Sequence, residues 1–323
     1  MKKALFICTL LTGMSISAIA QSESEVNRLP VMDVHIHVGP VRPGMGPLCP
    51  HFLSDMPGAD PLDEIPFDFR VTDCLDPWPA AQSDEEMKDE IVKRIKELNM
   101  TMIAFGDAAV MRTWMEEVPE GRIIPGISWR NLTVDQFRDS LESGFYKVFA
   151  ETGMDTPDEY LAIAEELNIP VGIHCGTGGN GSANIRNPEY RASSMDPFRL
   201  EGILARHPRL KVWAMHAGYP LAEHMIALMG ANAYVYVDIS GLIWSYPLDE
   251  VHYYIKKLVQ AGFAKRIMYG TDLFYYPRMI EGSMSIIEHA QYLSAEQKRD
   301  ILFNNAVRFF RLDESRFDWP NEN

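Results

Sequence analysis

The sequence has few cysteines, fewer basic than acidic residues, and no long apolar run beyond its N-terminus. Its 323 residues include 4 Cys, 30 Lys and Arg, and 45 Asp and Glu, for a formal net charge of −15. So few cysteines exclude a scaffold built on disulfides. So acidic a surface repels a phosphate backbone, which argues against extended nucleic-acid binding. We therefore expect a globular protein that acts on a small molecule and has no nucleic-acid partner.

The first twenty residues have the pattern of an export signal. Lys2 and Lys3 give a basic start, residues 4–16 form an apolar core, and Ala18-Ile-Ala20 is a small-x-small cleavage site. The core is too short, and too interrupted by Thr and Ser, to anchor the chain in a bilayer. The sequence thus predicts a signal peptide at 1–20, a mature chain at 21–323, and a periplasmic or secreted location without a membrane anchor.

Short apolar runs alternate with helical patterns along the chain. Strands are predicted at 31–37, 100–105, 123–128, 145–151, 169–174, 210–215, 233–239 and 266–271. Helices are predicted at 84–97, 133–142, 157–167, 197–206, 220–230, 249–261, 278–291 and 294–304, with Thr133 as one N-cap. The alternation indicates parallel strands joined by right-handed crossovers. Eight such units favour a single (β/α)₈ TIM barrel, and the lack of Gly-x-Gly-x-x-Gly after the first strand disfavours a dinucleotide-binding sheet.

Residues 39–83 interrupt this alternation between the first strand and its helix. The segment holds nine prolines and shows no clear periodicity. Long ordered loops are usually functional, so we interpret it as a loop covering the barrel mouth, with a plain solvated excursion as the alternative. Cys49 and Cys74 both lie in it, and export permits oxidation, so a disulfide between them is predicted. Cys175 is expected to stay reduced.

Candidate metal ligands stand where the predicted strands end. His35 and His37, two residues apart on the first strand, are expected to project from the same face. Residues of ligand type also end four later strands, namely Glu151, His174, His216 and Asp272. The C-terminal strand ends of a (β/α)₈ barrel meet where active sites form. A single strand-end histidine is more often a hydrogen-bonded core residue, but the whole set predicts a metal site.

These motifs resemble the amidohydrolase superfamily, and more narrowly its family 2, which is related to aminocarboxymuconate semialdehyde decarboxylase. The matching pieces are Asp33-Val-His35-Ile-His37, Ile173-His174, Met215-His216-Ala-Gly218-Tyr-Pro220, Tyr269-Gly-Thr-Asp272 and Asn304-Asn-Ala-Val-Arg-Phe-Phe310. The resemblance implies that His35, His37, His174 and Asp272 hold a divalent ion. It also implies that His216 either binds a second ion or is a free acid/base.

Glu151 departs from the single-metal branch of that family. It is similar in place to the bridging carboxylate or carboxylated lysine of binuclear relatives of phosphotriesterase and deoxyribonuclease type. Lys147 was the other candidate, but it lies four residues earlier, about 13 Å deeper in the barrel. We therefore expect two ions bridged by Glu151. Zinc suits the imidazole-rich set best, and manganese or iron would also fit.

The expected activity is metal-dependent hydrolysis of an amide, lactone or ester. Asp272 and His216 are the expected catalytic residues, Asp272 as the group that takes a proton from water and passes it to the leaving group. His216 is expected as a ligand of the second ion. Two alternatives stay open: a single-metal non-oxidative decarboxylase with His216 as acid/base, and a non-catalytic periplasmic binding barrel.

Seven residues in loops expected at the mouth are candidate substrate contacts. They are Arg42, Arg130, Arg186, Tyr219, Trp244, Tyr275 and Arg278. Arginines suggest a carboxylate on the substrate, and aromatic side chains suggest a ring or an apolar part. Packing between loops explains any one of them equally well. The sequence names neither the substrate nor the oligomeric state, and it is compatible with a homo-oligomer.

Overall fold

The computed structural model describes residues 28–55, 62, 74–177 and 187–317. The predicted signal peptide at 1–20 and the candidate contact Arg186 lie outside the described residues. Within the described parts, no helix combines the length and the apolar character needed to cross a bilayer.

Eight parallel strands form one sheet in sequence order. They are β1 Val31–Val38, β2 Met100–Gly106, β3 Ile123–Ile127, β4 Val148–Thr152, β5 Val171–His174, β6 Val212–Met215, β7 Val235–Asp238 and β8 Ile267–Met268. Backbone hydrogen bonds join the last segment to the first: Asp272 N donates to His35 O at 2.9 Å, and His37 N donates to Leu273 O at 2.9 Å. The sheet therefore closes into the predicted (β/α)₈ TIM barrel.

Helices follow the strands on the outside of the barrel. They are α1 Asp84–Glu97, α2 Ala108–Met115, α3 Val134–Glu142, α4 Asp158–Glu166, α5 Arg199–Arg206, α6 Ala222–Ala231, α7 Leu242–Ser245, α8 Leu248–Leu258, α9 Met279–Glu288, α10 Ala295–Arg299 and α11 Asn305–Phe310. Thr133 caps α3 as predicted, and its side chain accepts a hydrogen bond from Gln136 N.

Two helices were not predicted, and several boundaries differ. The helix α2 begins after Asp107, whose carboxylate caps it by accepting hydrogen bonds from two backbone N–H groups. The four-residue α7 is too short to show a periodic pattern. The predicted helix at 294–304 is instead α10 followed by a π-helical turn, and α11 extends to Phe310.

The apolar core has two parts, one inside the barrel and one between barrel and helices. Met32, Val34 and Trp213 belong to the inner cluster, which the C-terminal helix α11 closes with residues such as Phe309. The larger cluster includes Ile36 of β1 and packs the outer strand faces against the helices. Strand alternation explains this division, because successive side chains point to opposite faces.

The described ends of the proline-rich segment lie over the C-terminal face of the barrel. Leu48 and Trp78 form an antiparallel bridge, and Ala81 N donates to the carbonyl oxygen of Tyr275, after β8, at 2.9 Å. Cys49 and Cys74 are bonded in the predicted disulfide, with their Cα atoms 6.1 Å apart. Cys175 is a free, buried cysteine, as expected. The two ends of the loop are thus joined beside the mouth.

Candidate metal centre

An irregularity in β1 turns His35 and His37 into the barrel. Met32 and Val34 pack inside, whereas Ile36 packs outside against the helices. The register with β2 shifts between Asp33 and Ile36, which marks a bulge. An extra residue in a strand reverses the alternation beyond it, so the bulge sends the two imidazoles to the inner face.

A second register shift, in β4, turns the Glu151 side chain into the barrel. Val148 and Ala150 pack inside and Phe149 outside, so regular alternation would point Glu151 outward. The register with β5 shifts between Phe149 and Thr152, at the point where Glu151 turns toward the histidines. The bulge in β1 lies in the middle of the strand and that in β4 near its C-terminal end, and each is beside the ligands that it orients.

One oxygen of Glu151 faces the histidines of β1. Its Oε2 atom lies 3.4 Å from His37 Nε2 and 3.9 Å from His35 Nε2. Asp272 completes this group, with its Oδ1 atom 3.0 Å from His37 Nε2 and 3.4 Å from His35 Nε2. The two Nε2 atoms are 3.2 Å apart. We call His35, His37 and Asp272, with this oxygen of Glu151, the first ligand group.

The other oxygen of Glu151 faces the histidines of β5 and β6. Its Oε1 atom lies 2.5 Å from His174 Nδ1 and 3.7 Å from His216 Nε2. The two ring nitrogens are 3.2 Å apart. These residues form the second ligand group. Because the two carboxylate oxygens reach different groups, Glu151 lies between them.

The spacing within the groups suits a divalent ion. Zinc binds four ligands tetrahedrally at 2.0–2.1 Å, which places neighbouring ligand atoms about 3.3 Å apart. The nitrogen–nitrogen distances of 3.2 Å in both groups are close to this value. Unprotonated ring nitrogens facing each other would repel, and a cation between them removes that repulsion. The residues present therefore fit the metal that the donor types imply.

Hydrogen bonds at the far ring nitrogens fix which histidine nitrogen faces the centre. His35 Nδ1 lies 3.1 Å from the Asp238 carboxylate, and His216 Nδ1 lies 3.0 Å from the carbonyl oxygen of Ser240. Each Nδ1 carries the proton that it donates to such an acceptor, so Nε2 faces the ligand group and can supply a lone pair to an ion that displaces any proton held there. These contacts orient both rings as metal ligands need.

Asp238, at the end of β7, contacts the histidines of the centre on the side away from the ligand groups. Besides His35, it accepts hydrogen bonds from Trp213 Nε1 at 3.2 Å and from the backbone N of His216 at 2.9 Å. It is fully buried, and Ser240 also donates to it. One carboxylate thus positions the histidines of both ligand groups.

The electrostatics of the centre favour a bound cation. Burial raises the pKa of Glu151, but the hydrogen bond from His174 and the nearby imidazoles of His216 and His35 outweigh it and hold the pKa well below its usual value. Burial lowers the pKa of His216, but Glu151, Asp272 and Asp238 raise it to about 10. Without an ion, the carboxylates therefore keep a proton on His216. The same negative field attracts a metal ion.

A cavity of about 610 Å³ opens beside Glu151 and His174. Three arginines, Arg130, Arg191 and Arg199, line it, together with apolar side chains such as Met154 and Met195. Such a mixture of charged and apolar walls is typical of a small-molecule site. The cavity thus opens directly onto the second ligand group.

Comparison with known proteins agrees with this geometry. The sequence profile of the amidohydrolase 2 family matches residues 33–312, which include both ligand groups. The chain belongs to this family. Among curated proteins, no match to this amidohydrolase is found.

Solved structures share the fold of this amidohydrolase at low sequence identity. An uncharacterised TIM-barrel protein from Bordetella bronchiseptica is 17% identical, with a TM-score of 0.57 and coverage of 88% of this chain and 99% of that one. A probable 2-pyrone-4,6-dicarboxylic acid hydrolase from Acinetobacter baumannii is 13% identical, with a TM-score of 0.52 and coverage of 87% and 99%. A dihydroxybenzoic acid decarboxylase from Polaromonas sp. JS666, with bound manganese, is 14% identical, with a TM-score of 0.54 and coverage of 88% and 97%.

The six predicted substrate contacts that lie within the described residues differ in their position relative to the mouth cavity. Arg130 lines the mouth cavity, whereas Arg42 is exposed and is not among the lining residues. Arg278 pairs with Asp76 through two hydrogen bonds of 2.8 Å, so its guanidinium already has a carboxylate partner.

The three aromatic candidates pack between loops, as the alternative interpretation allowed. The Trp244 indole donates to the Thr271 carbonyl oxygen at 2.6 Å. The rings of Tyr219 and Tyr246 are 4.1 Å apart, and Tyr275 is partly buried against the outer core. None of the three candidates is among the described residues that line the mouth cavity.

Sequence reasoning missed Asp238 and three further residues near the centre. Arg191 and Arg199 line the mouth cavity, and the Phe274 ring stacks on His37 at 4.0 Å with 44% of the residue exposed. Phe274 comes two residues after Asp272, so its position after a ligand strand was the available signal. The arginines lie in an aperiodic stretch before α5 and at its first residue, where the sequence offered none.

Proposed function

We propose that this amidohydrolase is an exported enzyme that hydrolyses an ester, lactone or amide of a small carboxylate-bearing ring compound. The observation that most strongly supports this proposal is that the two oxygens of Glu151 face two separate ligand groups. This arrangement supports a pair of ions bridged by one carboxylate. Divalent ions bound there would polarise a carbonyl oxygen and lower the pKa of water.

The chain's own residues would then handle the proton and the substrate. Burial raises the pKa of Asp272, but the hydrogen bond from His37 and the nearby imidazoles outweigh it and lower that pKa. Asp272 is thus ionised and able to accept a proton from water and donate it to the leaving group.

The mouth supports a substrate with a ring and a carboxylate. Arg130, Arg191 and Arg199 offer guanidinium groups for a carboxylate, and the exposed Phe274 ring offers a face for stacking. The Acinetobacter neighbour is named for a dicarboxylic acid of this type, and this agrees with the substrate class that we propose.

To test this proposal, metal-loaded protein is incubated with two panels of compounds in H₂¹⁸O, and ¹⁸O incorporation and CO₂ release are measured. One holds carboxylate-bearing lactones and esters, including 2-pyrone-4,6-dicarboxylate, and the other holds dihydroxybenzoates. We expect ¹⁸O in a newly formed carboxylate and no CO₂ release, and we expect Asp272→Asn to lose the ¹⁸O incorporation.

A second candidate function is single-metal decarboxylation with His216 as acid/base. The manganese-bound decarboxylase neighbour and the closeness of His216 to the first strand, with ring centroids of His216 and His35 5.1 Å apart, favour it. CO₂ release without ¹⁸O incorporation would select this reaction and reject hydrolysis. The absence of turnover on both panels would instead favour a binding barrel.

A further inference from the structure

A second cavity, of about 490 Å³, lies at the opposite end of the barrel from the ligand groups. Lys147 and Lys211 line it, and they directly precede β4 and β6. Glu151 and His216, at the other ends of these strands, are four and five residues away, which corresponds to about 13–17 Å. We call this the basal cavity, and it is separate from the metal centre.

The walls of the basal cavity carry an excess of positive charge. Lys147, Lys211, Arg311 and Arg316 line it, against one carboxylate, Glu120. Among the described residues, none of the four cations forms a salt bridge, whereas Arg209 and Arg308, outside the cavity lining, do. Lys147, Arg311 and Arg316 are exposed and Lys211 is partly buried, and in a chain of net charge −15 they form a local excess of positive charge around one cavity.

The cations are close enough to repel each other. Burial and the nearby charge of Arg311 lower the pKa of Lys211. Apolar side chains such as Ile123 and Phe310 also line the cavity and reduce the screening by water. An anion bound between the cations would offset both the repulsion between Lys211 and Arg311 and the cost of burying the Lys211 charge.

One of these cations lies against a glycine. Gly121 has a φ of +85°, and a Cβ atom there would come within 2.0 Å of Arg316 Nη2. The guanidinium therefore lies directly on the glycine backbone, a position that any side chain at residue 121 would fill.

We propose that the basal cavity binds a multivalent oxyanion, either a polyphosphate or a polycarboxylate small molecule. Arginine and lysine are the side chains that bind such oxygens by charge-assisted hydrogen bonds. The volume of about 490 Å³ admits a molecule of this size, and the distance from the ligand groups makes the site independent of the proposed hydrolysis.

Isothermal titration calorimetry of the metal-loaded protein tests this proposal with two probes, tripolyphosphate and propane-1,2,3-tricarboxylate. We expect at least one probe to bind, with an affinity about tenfold lower in Lys211→Met or Arg316→Gln for each charge-assisted contact removed. The probe that binds more tightly identifies the type of oxyanion.

Arg209→Met is the matched control, because Arg209 is an exposed cation near Lys211 whose partner is Glu165. It should bind the probes like the unmodified protein. Removal of the active-site metal by a probe would affect all variants equally, so only the difference among them counts. Failure of both probes to bind, or equal binding by Lys211→Met, Arg316→Gln and the control, would overturn the proposal.

Discussion

At the scale of single residues, the centre depends on carboxylates that each serve more than one histidine. Glu151 lies between the ligand groups, and Asp238 positions His35 from behind while it accepts a hydrogen bond from the His216 backbone. Such partners fix the tautomer and the orientation of metal-binding imidazoles. Their removal should therefore weaken metal binding before it affects the fold.

Asp238→Asn should lower the affinity for metal by about 10–100-fold, because an amide in place of Oδ2 would no longer accept the His35 proton. Competition with a chelating dye measures this affinity. Asp196→Asn is the matched control, since Asp196 also contacts a histidine, His224, but lies outside both ligand groups. Equal affinities of the two variants would show that Asp238 does not position the ligands.

Metal binding should also depend on pH through His216. In the metal-free protein the pKa of His216 is raised to about 10, so an ion must displace its proton at neutral pH. Affinity for the second ion should therefore rise about tenfold for each pH unit up to about pH 10. Titrations with metal from pH 6 to pH 9 would show this slope. A flat profile in the unmodified protein would contradict the raised pKa.

At the scale of secondary-structure elements, the strand order and most helices follow from hydrophobic alternation, but the bulges do not. The sequence placed His35 and Glu151 at strand ends, yet regular alternation would have pointed Glu151 outward. Its turn toward the histidines depends on the register with β5, which only the paired strand determines. The short α7 was missed because its four residues show no period.

The junction between β8 and β1 depends on a buried carboxylate. Asp33 accepts hydrogen bonds from Thr271 Oγ1 at 2.7 Å and from Thr271 N at 3.1 Å. Thr271→Val removes the hydroxyl donor and should lower the free energy of unfolding by about 1–3 kcal/mol in urea denaturation. Thr113→Val is the control, since its hydroxyl bonds only a helix carbonyl at an exposed position. An equal loss in both variants would argue against a special role for this junction.

The Thr271 contribution should grow with pH. Burial raises the pKa of Asp33 to about 7, although hydrogen bonds from His35 and Thr271 lower it. The Thr271 hydroxyl stabilises the ionised form of Asp33 more than the protonated form. Thr271→Val should therefore destabilise the protein more at pH 8 than at pH 5. A difference that is constant between these pH values would show that Asp33 does not change its charge there.

The disulfide should stabilise the segment over the mouth. Cys49 and Cys74 close a loop with a sequence separation of 25 residues. The double variant Cys49→Ala/Cys74→Ala should lower the free energy of unfolding by about 3 kcal/mol. Reducing agent should destabilise the unmodified protein and leave this variant unchanged. An identical response of both proteins would contradict a role for the bond.

At the scale of the whole molecule, the two ends of the barrel differ in what the sequence revealed. Ligand-type residues at strand ends converge in any (β/α)₈ barrel, so the grouping of the candidate metal ligands could be predicted from local patterns. The side chains that line the mouth could not be predicted, because the positions of loop side chains depend on their tertiary partners. Arg278 pairs with Asp76, and Trp244 donates a hydrogen bond to a backbone carbonyl. The basal cavity also joins distant segments, which no local pattern shows.

The metal content of Glu151→Gln, measured by plasma mass spectrometry, tests the central claim most directly. The unmodified protein should hold close to two divalent ions per chain. Glu151→Gln should hold one and lose most hydrolytic activity, because it removes negative charge between two cations. His216→Asn should do the same, whereas Glu189→Gln, a carboxylate that lines the mouth cavity, should keep both ions. A single tightly bound ion in the unmodified protein in excess metal, with Glu151→Gln fully active, would contradict the account.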